Sequence, residues 1–245
     1  MQVHGSIALV TGANRGIGKA FVESLLAAGA KKVYAGARNP ADVTIKGVTP
    51  IEVDITNVDQ VRLAAEQCAD VTVLINNAGI GAPTPFLASP DLRDFKSTMD
   101  TNYFGTLNMC RAFAPVLKRN GGGALVNMLS VASWSTAGFI GGYSASKMAE
   151  LALTRGVRIE LRSQGTLVVG VYAGFVDTDM TKNLTVPKVR PEDIAAAVMS
   201  GLANGIEEIL ADDRSREVAT NFVRESRIRE EINQKVWDES PYSKQ

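Results

Sequence analysis

Residues 7–18 read Ile-Ala-Leu-Val-Thr-Gly-Ala-Asn-Arg-Gly-Ile-Gly, an apolar run that passes directly into a glycine-rich loop. A helical pattern follows from Gly16 to Ala28. Glycines let backbone N–H groups approach a pyrophosphate closely, and the helix N-terminus behind them adds partial positive charge. The glycine spacing, G-x3-G-x-G, differs from the dinucleotide fingerprint G-x-G-x-x-G, so a plain strand-to-helix turn stays open as the alternative. No G-K-[S/T] follows, which excludes a nucleoside triphosphatase loop.

Short apolar runs and longer helical patterns alternate along the rest of the chain. Most of the strand candidates are unbroken apolar runs, as is typical of strands buried on both faces of a parallel sheet. The alternation predicts an α/β fold, a doubly wound parallel sheet of about seven strands with helices on both faces. The predicted strands are Ile7–Thr11, Lys32–Ala35, Thr49–Val53, Val71–Ile75, Ala124–Met128, Thr166–Tyr172 and Glu208–Leu210. The predicted helices are Gly16–Ala28, Asp59–Cys68, Asp91–Lys118, Tyr143–Gln164 and Pro191–Asn204.

The composition limits the possible partners and the location. The 245 residues are 45% apolar and 21% charged, which is ordinary globular composition. Lys and Arg (26) balance Asp and Glu (26), so no global field favours nucleic acid or an anionic membrane, and we expect neither. The longest apolar stretch, Leu167–Val176, is far shorter than the roughly 20 residues of a membrane helix.

Cysteine and histidine usage points to the cytoplasm and away from metal sites. Two cysteines, Cys68 and Cys110, are too few for a disulfide scaffold, and the first ten residues show no signal peptide, so we expect a cytoplasmic protein. The only histidine, His4, argues against zinc sites and against Ser-His-Asp hydrolysis. We therefore expect no metal.

A change in composition near residue 212 divides the chain. Residues 212–245 carry 15 charges in 34 positions, against 37 in the 211 residues before them. We predict a nucleotide-binding and catalytic domain over residues 1–211 and a charged helical appendage of the same domain over residues 212–245. From Arg214 to Trp237, one face of the predicted helix is apolar and matches a core-facing stripe. It comprises Val218, Phe222, Ile228, Ile232 and Val236.

The end of the second predicted strand bears on the type of cofactor. An acidic residue near this point would bind a ribose 2′-OH, but the sequence has Arg38 instead. Arg15 lies within the glycine loop itself. Guanidinium groups bind phosphate oxygens well, so the pair favours a 2′-phosphate and hence NADP(H). The alternative is two solvated surface arginines.

Tyr143 and Lys147 are four residues apart and share one face of the predicted helix. A free phenol titrates near pH 10 and is a poor acid–base catalyst at neutral pH, but a neighbouring ammonium favours its ionised form. Ser130 follows the strand Ala124–Met128, where its hydroxyl could bind a substrate carbonyl. Tyr-x-x-x-Lys alone is a weak signal that depends on the other motifs.

Five motifs in the same order and at the same spacing make the chain resemble the short-chain dehydrogenase/reductase family over roughly residues 5–215. The resemblance implies a single Rossmann-type domain and an oxidoreductase. The motifs are Thr11–Gly18, Asn76-Asn77-Ala78-Gly79, Asn102, Ser130, and Tyr143-Ser144-Ala145-Ser146-Lys147.

The resemblance also implies roles for the catalytic residues. Tyr143 would be the general acid in carbonyl reduction, and Ser130 would orient and polarise the carbonyl. Lys147 would favour ionisation of Tyr143 and bind the nicotinamide ribose. Asn102 would hold a water that links Lys147 to solvent.

The cofactor contacts follow from the same resemblance. The family usually has Pro-Gly after the sixth strand, whereas this chain has Ala173-Gly174. The lost proline frees φ and adds an N–H donor, which puts the rigidity of this wall in question. Cofactor contacts are expected from Gly12, Asn14, Arg15, Gly16, Ile17, Gly18, Arg38, Asp54, Ile55, Asn77, Ala78, Gly79, Tyr143, Lys147, Gly174, Val176 and Thr178.

The sequence thus favours an NADPH-dependent oxidoreductase that reduces a ketone or aldehyde to an alcohol by reversible hydride transfer. Two alternatives stay open: a non-catalytic NADP(H)-binding redox sensor, and a relative with dehydratase or epimerase chemistry. Apolar residues near the predicted cleft suggest a small hydrophobic carbonyl or alcohol substrate. The expected substrate contacts are Ser130, Tyr143, Trp134, Phe139, Phe175 and Met180, with Ile140 and Leu184 close by. Family members commonly form dimers and tetramers, so we expect a homodimer or homotetramer with the appendage at or near an interface.

Overall fold

A computed structural model describes residues 2–222 and residue 239. The strands are β1 Ile7–Thr11, β2 Lys32–Ala37, β3 Thr49–Glu52, β4 Val73–Asn76, β5 Ala124–Met128, β6 Leu167–Tyr172 and β7 Glu208–Leu210. The α-helices are α1 Gly16–Ala27, α2 Val58–Gln67, α3 Arg93–Met99, α4 Thr106–Arg119, α5 Gly141–Leu161, α6 Pro191–Ala203 and α7 Asp213–Phe222. A π-helical segment, Asp100–Gly105, joins α3 to α4. Short 3₁₀ helices are Pro40–Asp42, Val131–Ser133, Gly138–Ile140 and Arg162–Gln164.

The seven strands form one parallel sheet in the order β3-β2-β1-β4-β5-β6-β7. The chain first builds outward from β1 to β3 and then returns past β1 to continue from β4 to β7. The direction of winding therefore reverses between β1 and β4, which is the position where doubly wound sheets open a crevice at the carboxyl ends of their strands.

Alternating strand residues build a core on each face of the sheet. Ala8 and Val10 of β1 pack with Phe21 of α1 and Ile194 of α6 on one face. Leu9, between them in sequence, belongs to the opposite face, where side chains of α2, α4 and α5 cover the sheet. Both faces are buried, which explains why the strands read as continuous apolar runs.

The predicted doubly wound fold is confirmed, and all seven predicted strands are present. Three strands, β1, β5 and β7, have the predicted ends, and the ends of the other four differ from the prediction by at most two residues. The predicted helix Asp91–Lys118 is interrupted by the π-helical segment, and α5 begins two residues before Tyr143. None of the helices in residues 2–222 is both long and apolar enough to cross a bilayer.

The boundary between residues 211 and 212 stays a prediction. α7 begins at Asp213, and Val218 of the predicted apolar stripe is buried. Phe222, at the end of α7, is half-exposed with its ring 6.5 Å from that of Trp134. The remaining stripe positions, Ile228, Ile232 and Val236, lie outside the described residues.

The entry into β5 depends on a glycine. Gly123 has a φ of +62°, and a Cβ there would lie 2.0 Å from the Thr72 carbonyl oxygen. That carbonyl accepts a hydrogen bond from Ala124 N at 2.9 Å, so it cannot move without loosening the β4–β5 pairing. Gly121 also has a positive φ but would place its Cβ in open space.

We expect Gly123→Ala to lower the unfolding free energy by about 1–3 kcal/mol more than Gly121→Ala, because only the first adds a clash to the left-handed backbone penalty. Urea unfolding of both variants measures the difference. Equal losses would show that the contact with Thr72 is not the constraint.

Candidate active site

A cleft of about 1200 Å³ opens at the carboxyl ends of β1 and β4, where the winding direction reverses. Every residue predicted to contact the cofactor lines this cleft, from the glycine loop to Thr178. Ser130, Tyr143 and Lys147 line the same cleft. These residues therefore come together in a single concave site, although 166 positions separate Gly12 from Thr178 along the chain.

Hydrogen bonds between β1 and the loop after β4 set the base of the cleft. The Thr11 hydroxyl oxygen accepts from the backbone N–H groups of Asn77 and Ala78, both at 3.0 Å. The Asn77 side chain donates in return to the Thr11 carbonyl at 2.9 Å. These hydrogen bonds hold the glycine loop and the loop after β4 together at the base of the cleft.

The glycine loop has the shape needed to accept a pyrophosphate. Gly12 has a φ of +64°, which favours glycine. A Cβ on Gly18 would lie only 2.0 Å from the Gly12 carbonyl oxygen, so the first turn of α1 packs directly on the loop. The loop and the N-terminus of α1 both line the cleft, which fits an anionic dinucleotide.

Two arginines lie at the cleft, as the sequence predicted, but in different settings. Arg38 is exposed just beyond β2 and takes part in none of the ion pairs found within residues 2–222. Arg15 forms an exposed ion pair with Asp179, N to O 2.9 Å, which links the glycine loop to the segment after β6. Asp54 also lines the cleft and accepts hydrogen bonds from the backbone N–H and hydroxyl of Thr56.

Ser130 is held at the end of β5 by hydrogen bonds to the short helix that follows it. Its hydroxyl oxygen caps the short helix Val131–Ser133 by accepting from Ala132 N at 3.1 Å. Ser130 N donates to the Ser133 hydroxyl at 3.3 Å, which completes a reciprocal cap. This arrangement fixes the Ser130 oxygen and leaves its O–H free to donate into the cleft.

Lys147 lies one helical turn after Tyr143 on α5, with its ammonium 6.0 Å from the centre of the phenol ring. It donates to the Met128 carbonyl at 2.8 Å and to a Glu150 carboxylate oxygen at 2.6 Å. Two of its three N–H donors are therefore used inside the protein, and one is left for a group in the cleft.

Asn102 lies in the π-helical segment and is fully buried. Its side chain pairs with the backbone of Ile80, accepting from N and donating to O, both at 2.9 Å. It also donates to the Ser146 hydroxyl at 3.0 Å. A Cβ on Gly79 would lie 3.2 Å from the Asn102 oxygen and 3.8 Å from the Lys147 nitrogen, so both groups converge behind Gly79.

Comparison with known proteins identifies the family. The family model for short chain dehydrogenase matches residues 6–188. The chain belongs to the short-chain dehydrogenase family of oxidoreductases. A 3-oxoacyl-[acyl-carrier-protein] reductase from Synechocystis is 32% identical over 215 residues, covering 78% of this chain and 87% of the relative. A 7alpha-hydroxysteroid dehydrogenase from Escherichia coli is 27% identical over 227 residues, covering 81% and 88%.

A solved structure gives a nearly complete match. A short chain dehydrogenase from Burkholderia cenocepacia, in complex with NADP, is 40% identical, with a TM-score of 0.90. The match covers 98% of this chain and 100% of that chain. The predicted membership in the short-chain dehydrogenase family is therefore confirmed, together with the fold.

In this short-chain dehydrogenase, the predicted substrate residues do not all reach the cleft. Met180 lines it, and its sulfur and the Tyr143 ring both approach the position that a Cβ on Gly81 would take, at 3.2 Å each. Trp134 stacks on Tyr172 with ring centres 3.9 Å apart, and neither it nor Phe139 nor Phe175 is among the described cleft-lining residues. Aromatic character alone could not separate packing from ligand contact at these positions.

Two hydrogen bonds hold the segment after β6, where the family's usual proline is absent. The Ala173 carbonyl accepts from Val131 N at 3.0 Å, and Gly174 N donates to the Asp212 carboxylate at 2.7 Å. Asp212 is buried and also accepts from Ser215 N at the start of α7. Residues beyond the motif thus hold this wall of the short-chain dehydrogenase site, a contribution that the sequence did not indicate.

Two further features of the site escaped the sequence analysis. Glu150 is buried against Lys147, and burial raises the pKa of its carboxyl group, while the Lys147 charge opposes that rise. Cys110 is buried nearby, and burial together with the Glu150 charge raises the pKa of its thiol to about 12. The position of Glu150, three residues after Lys147 on the same helix face, was the available signal.

Proposed function

We propose that this short-chain dehydrogenase reduces a ketone or aldehyde to an alcohol with NADPH, using Ser130, Tyr143, Lys147 and Asn102. The observation that carries the proposal is that Ser130, Tyr143 and Lys147 line the same cleft as the glycine loop. A redox sensor would not need a hydroxyl, a phenol and an ammonium assembled beside the cofactor cleft, and an epimerase or dehydratase has no further group in its favour here.

The chain's own groups would provide orientation and proton transfer. When bound, the reduced nicotinamide supplies the hydride. The fixed Ser130 hydroxyl would donate a hydrogen bond to the substrate oxygen, and the Tyr143 O–H would give that oxygen its proton. The free N–H of Lys147 would bind the nicotinamide ribose. Asn102, whose side chain bonds the Ile80 backbone and the Ser146 hydroxyl, would hold a water that returns protons from solvent.

A small hydrophobic substrate is supported by the surroundings of Tyr143. Met180 and Ile80 are exposed apolar side chains that line the cleft, and Met180 approaches Gly81 together with Tyr143. Relatives named for 3-oxoacyl and 7alpha-hydroxysteroid substrates are consistent with a carbonyl or hydroxyl on a largely apolar molecule. A narrower substrate does not follow from the cleft.

NADP(H) as cofactor is supported by Arg38 and Arg15 at the cleft and by the NADP complex of the similar Burkholderia protein. We also propose that the protein works in the cytoplasm. Its two cysteines are unpaired and buried, which suits a reducing compartment.

The first prediction tests the role of Tyr143. Tyr143→Phe keeps the ring but removes the acidic proton, so turnover should fall by about 10²–10⁴-fold while NADPH binding stays nearly unchanged. Lys147→Met should lose both turnover and NADPH binding. The assay follows NADPH absorbance with a panel of aryl ketones, diketones and acyl thioesters. Tyr103→Phe makes the same change outside the cleft and should keep full activity; a Tyr143→Phe enzyme with more than a tenth of wild-type activity would refute the assignment.

The second prediction concerns the cofactor. Charged hydrogen bonds contribute about 1.5–3 kcal/mol each, and less where the groups are exposed to solvent as both arginines are here. The two arginines should therefore give NADPH an advantage of about one to three orders of magnitude in kcat/KM. Replacing Ala37 with Asp and Arg38 with Ile should reverse it, because a carboxylate repels the 2′-phosphate and accepts from a 2′-OH. Arg162→Gln, at an exposed site outside the cleft, should leave the preference unchanged. Equal kcat/KM values for the wild type would contradict the prediction.

The third prediction concerns assembly. We propose a homodimer or homotetramer to which residues 214–245 contribute. Light scattering at micromolar concentration should give a multiple of the 26.1 kDa chain mass. Truncation after Asp213 should give a smaller mass or a lower melting temperature, because it also removes the buried Val218. A monomeric full-length protein, or a truncated form that keeps both mass and melting temperature, would rule out this role.

A further inference from the structure

Glu150 is a third ionisable group in line with Tyr143 and Lys147. The three residues are spaced i, i+4 and i+7 along α5, so they lie on one face of the helix. Only 8% of the Lys147 side chain and 2% of the Glu150 side chain are exposed. The two charged groups are 2.6 Å apart, N to O, and both side chains are almost fully buried. At this separation and burial the carboxylate acts strongly on the charge beside Tyr143.

The carboxylate is held in place from a second helix. Its other oxygen accepts a hydrogen bond from the Thr106 hydroxyl of α4 at 3.5 Å. The Glu150 carbonyl accepts from the Thr154 hydroxyl, which in turn accepts from Asn127 of β5 at 2.9 Å. Glu150 is therefore part of a polar connection between α5, α4 and the sheet, and its charge is fixed relative to Lys147.

The other titratable groups that face this pair, among the described residues, are Tyr143 on α5 and Cys110 on α4. The Cys110 thiol stays neutral in the working range because its pKa is raised to about 12. For Lys147, burial acts to lower the pKa of the ammonium, but the Glu150 and Tyr143 charges outweigh it and the net direction is upward. Removing the Glu150 charge would leave the ammonium buried without a counter-charge.

We propose that Glu150 is a positioning residue that sets the charge balance of the Tyr143–Lys147 pair and holds the site in its protonated, carbonyl-reducing form. This inference rests on the proposed function. Lys147 alone would present a full positive charge to Tyr143, whereas Lys147 with Glu150 presents a nearly neutral pair. A negative charge stabilises the protonated forms of neighbouring acids, so the Glu150 carboxylate favours retention of protons by the Tyr143–Lys147 pair as a whole.

The test is the pH profile of kcat for NADPH-dependent reduction by full-length Glu150→Gln, with the panel ketone that the wild type reduces fastest. Gln keeps the shape and an oxygen acceptor for Lys147 but carries no charge. We expect the alkaline midpoint, where reduction fails, to move down by about one to three pH units. The sign does not depend on which of the two coupled groups loses its proton first.

Two further variants separate charge from structure. Glu160→Gln, at an exposed position on α5, makes the same change in net charge and should leave the midpoint in place. Glu150→Asp keeps the charge but shortens the side chain by one methylene, so the carboxylate lies farther from Lys147. The alkaline midpoint of this variant should therefore lie between those of wild type and Glu150→Gln. If Glu150→Gln does not fold, the shift in Glu150→Asp decides. An unmoved midpoint with only a lower melting temperature would show a purely structural role and overturn the proposal.

A measurement without turnover distinguishes this inference from the proposed function. Ultraviolet absorbance of tyrosinate, with the signal of Tyr143→Phe subtracted, follows Tyr143 in the wild type and in Glu150→Gln. We expect ionisation at lower pH in Glu150→Gln. If no panel compound is reduced, the proposed function fails while this titration still decides. If Tyr143 ionises at the same pH or at a higher pH in Glu150→Gln than in the wild type, the role given to Glu150 would be overturned.

Discussion

The cleft opens at the carboxyl ends of β1 and β4, where the winding of the sheet reverses, and the Thr11 hydroxyl joins the ends of these two strands. Its hydrogen bonds to Asn77 and Ala78 tie the two loops at their base. The glycine loop and the segment carrying Gly79 both line the cleft. The fold thus determines where the reactive side chains lie. Helix α5 places Tyr143 and Lys147 at the cleft, and the end of β5 places Ser130 there.

The electrostatics of that wall depend on how many charges are buried and how they are paired. A buried ammonium is costly alone, and its pairing with Glu150 offsets that cost. Pairing also reduces the charge that reaches Tyr143. Stability and acid–base behaviour are thus linked through one ion pair of 2.6 Å, and a change that favours one of them alters the other.

Much of the fold and of the candidate site could be predicted from the sequence, for physical reasons that differ between residues. The strands were readable because both faces are buried, so runs such as Ile7–Thr11 contain no polar interruptions beyond Thr11 itself. Many of the cleft-lining positions were accessible through motifs in which backbone geometry restricts the residue, as at Gly12 and Gly18. Trp134 was not assignable, because an aromatic ring after a strand packs equally well on Tyr172 or on a ligand. Nor could Asp212 be found, since its hydrogen bond to Gly174 spans 38 positions that no local pattern connects.

The π-helical segment Asp100–Gly105 changes the phase of the long helical region that it interrupts. A wide turn takes one more residue than an α-turn, so the side chains of α4 are rotated by about 100° from the positions that a continuous helix from α3 would give them. α3 can then face α5 while Met109 and Phe113 of α4 face the sheet. The extra residue at this turn has two effects. It lets the Asn102 side chain reach the backbone of Ile80, and it turns the apolar face of α4 towards the core. Insertion or deletion of a residue in this helical region would therefore disturb the candidate site and the core packing together.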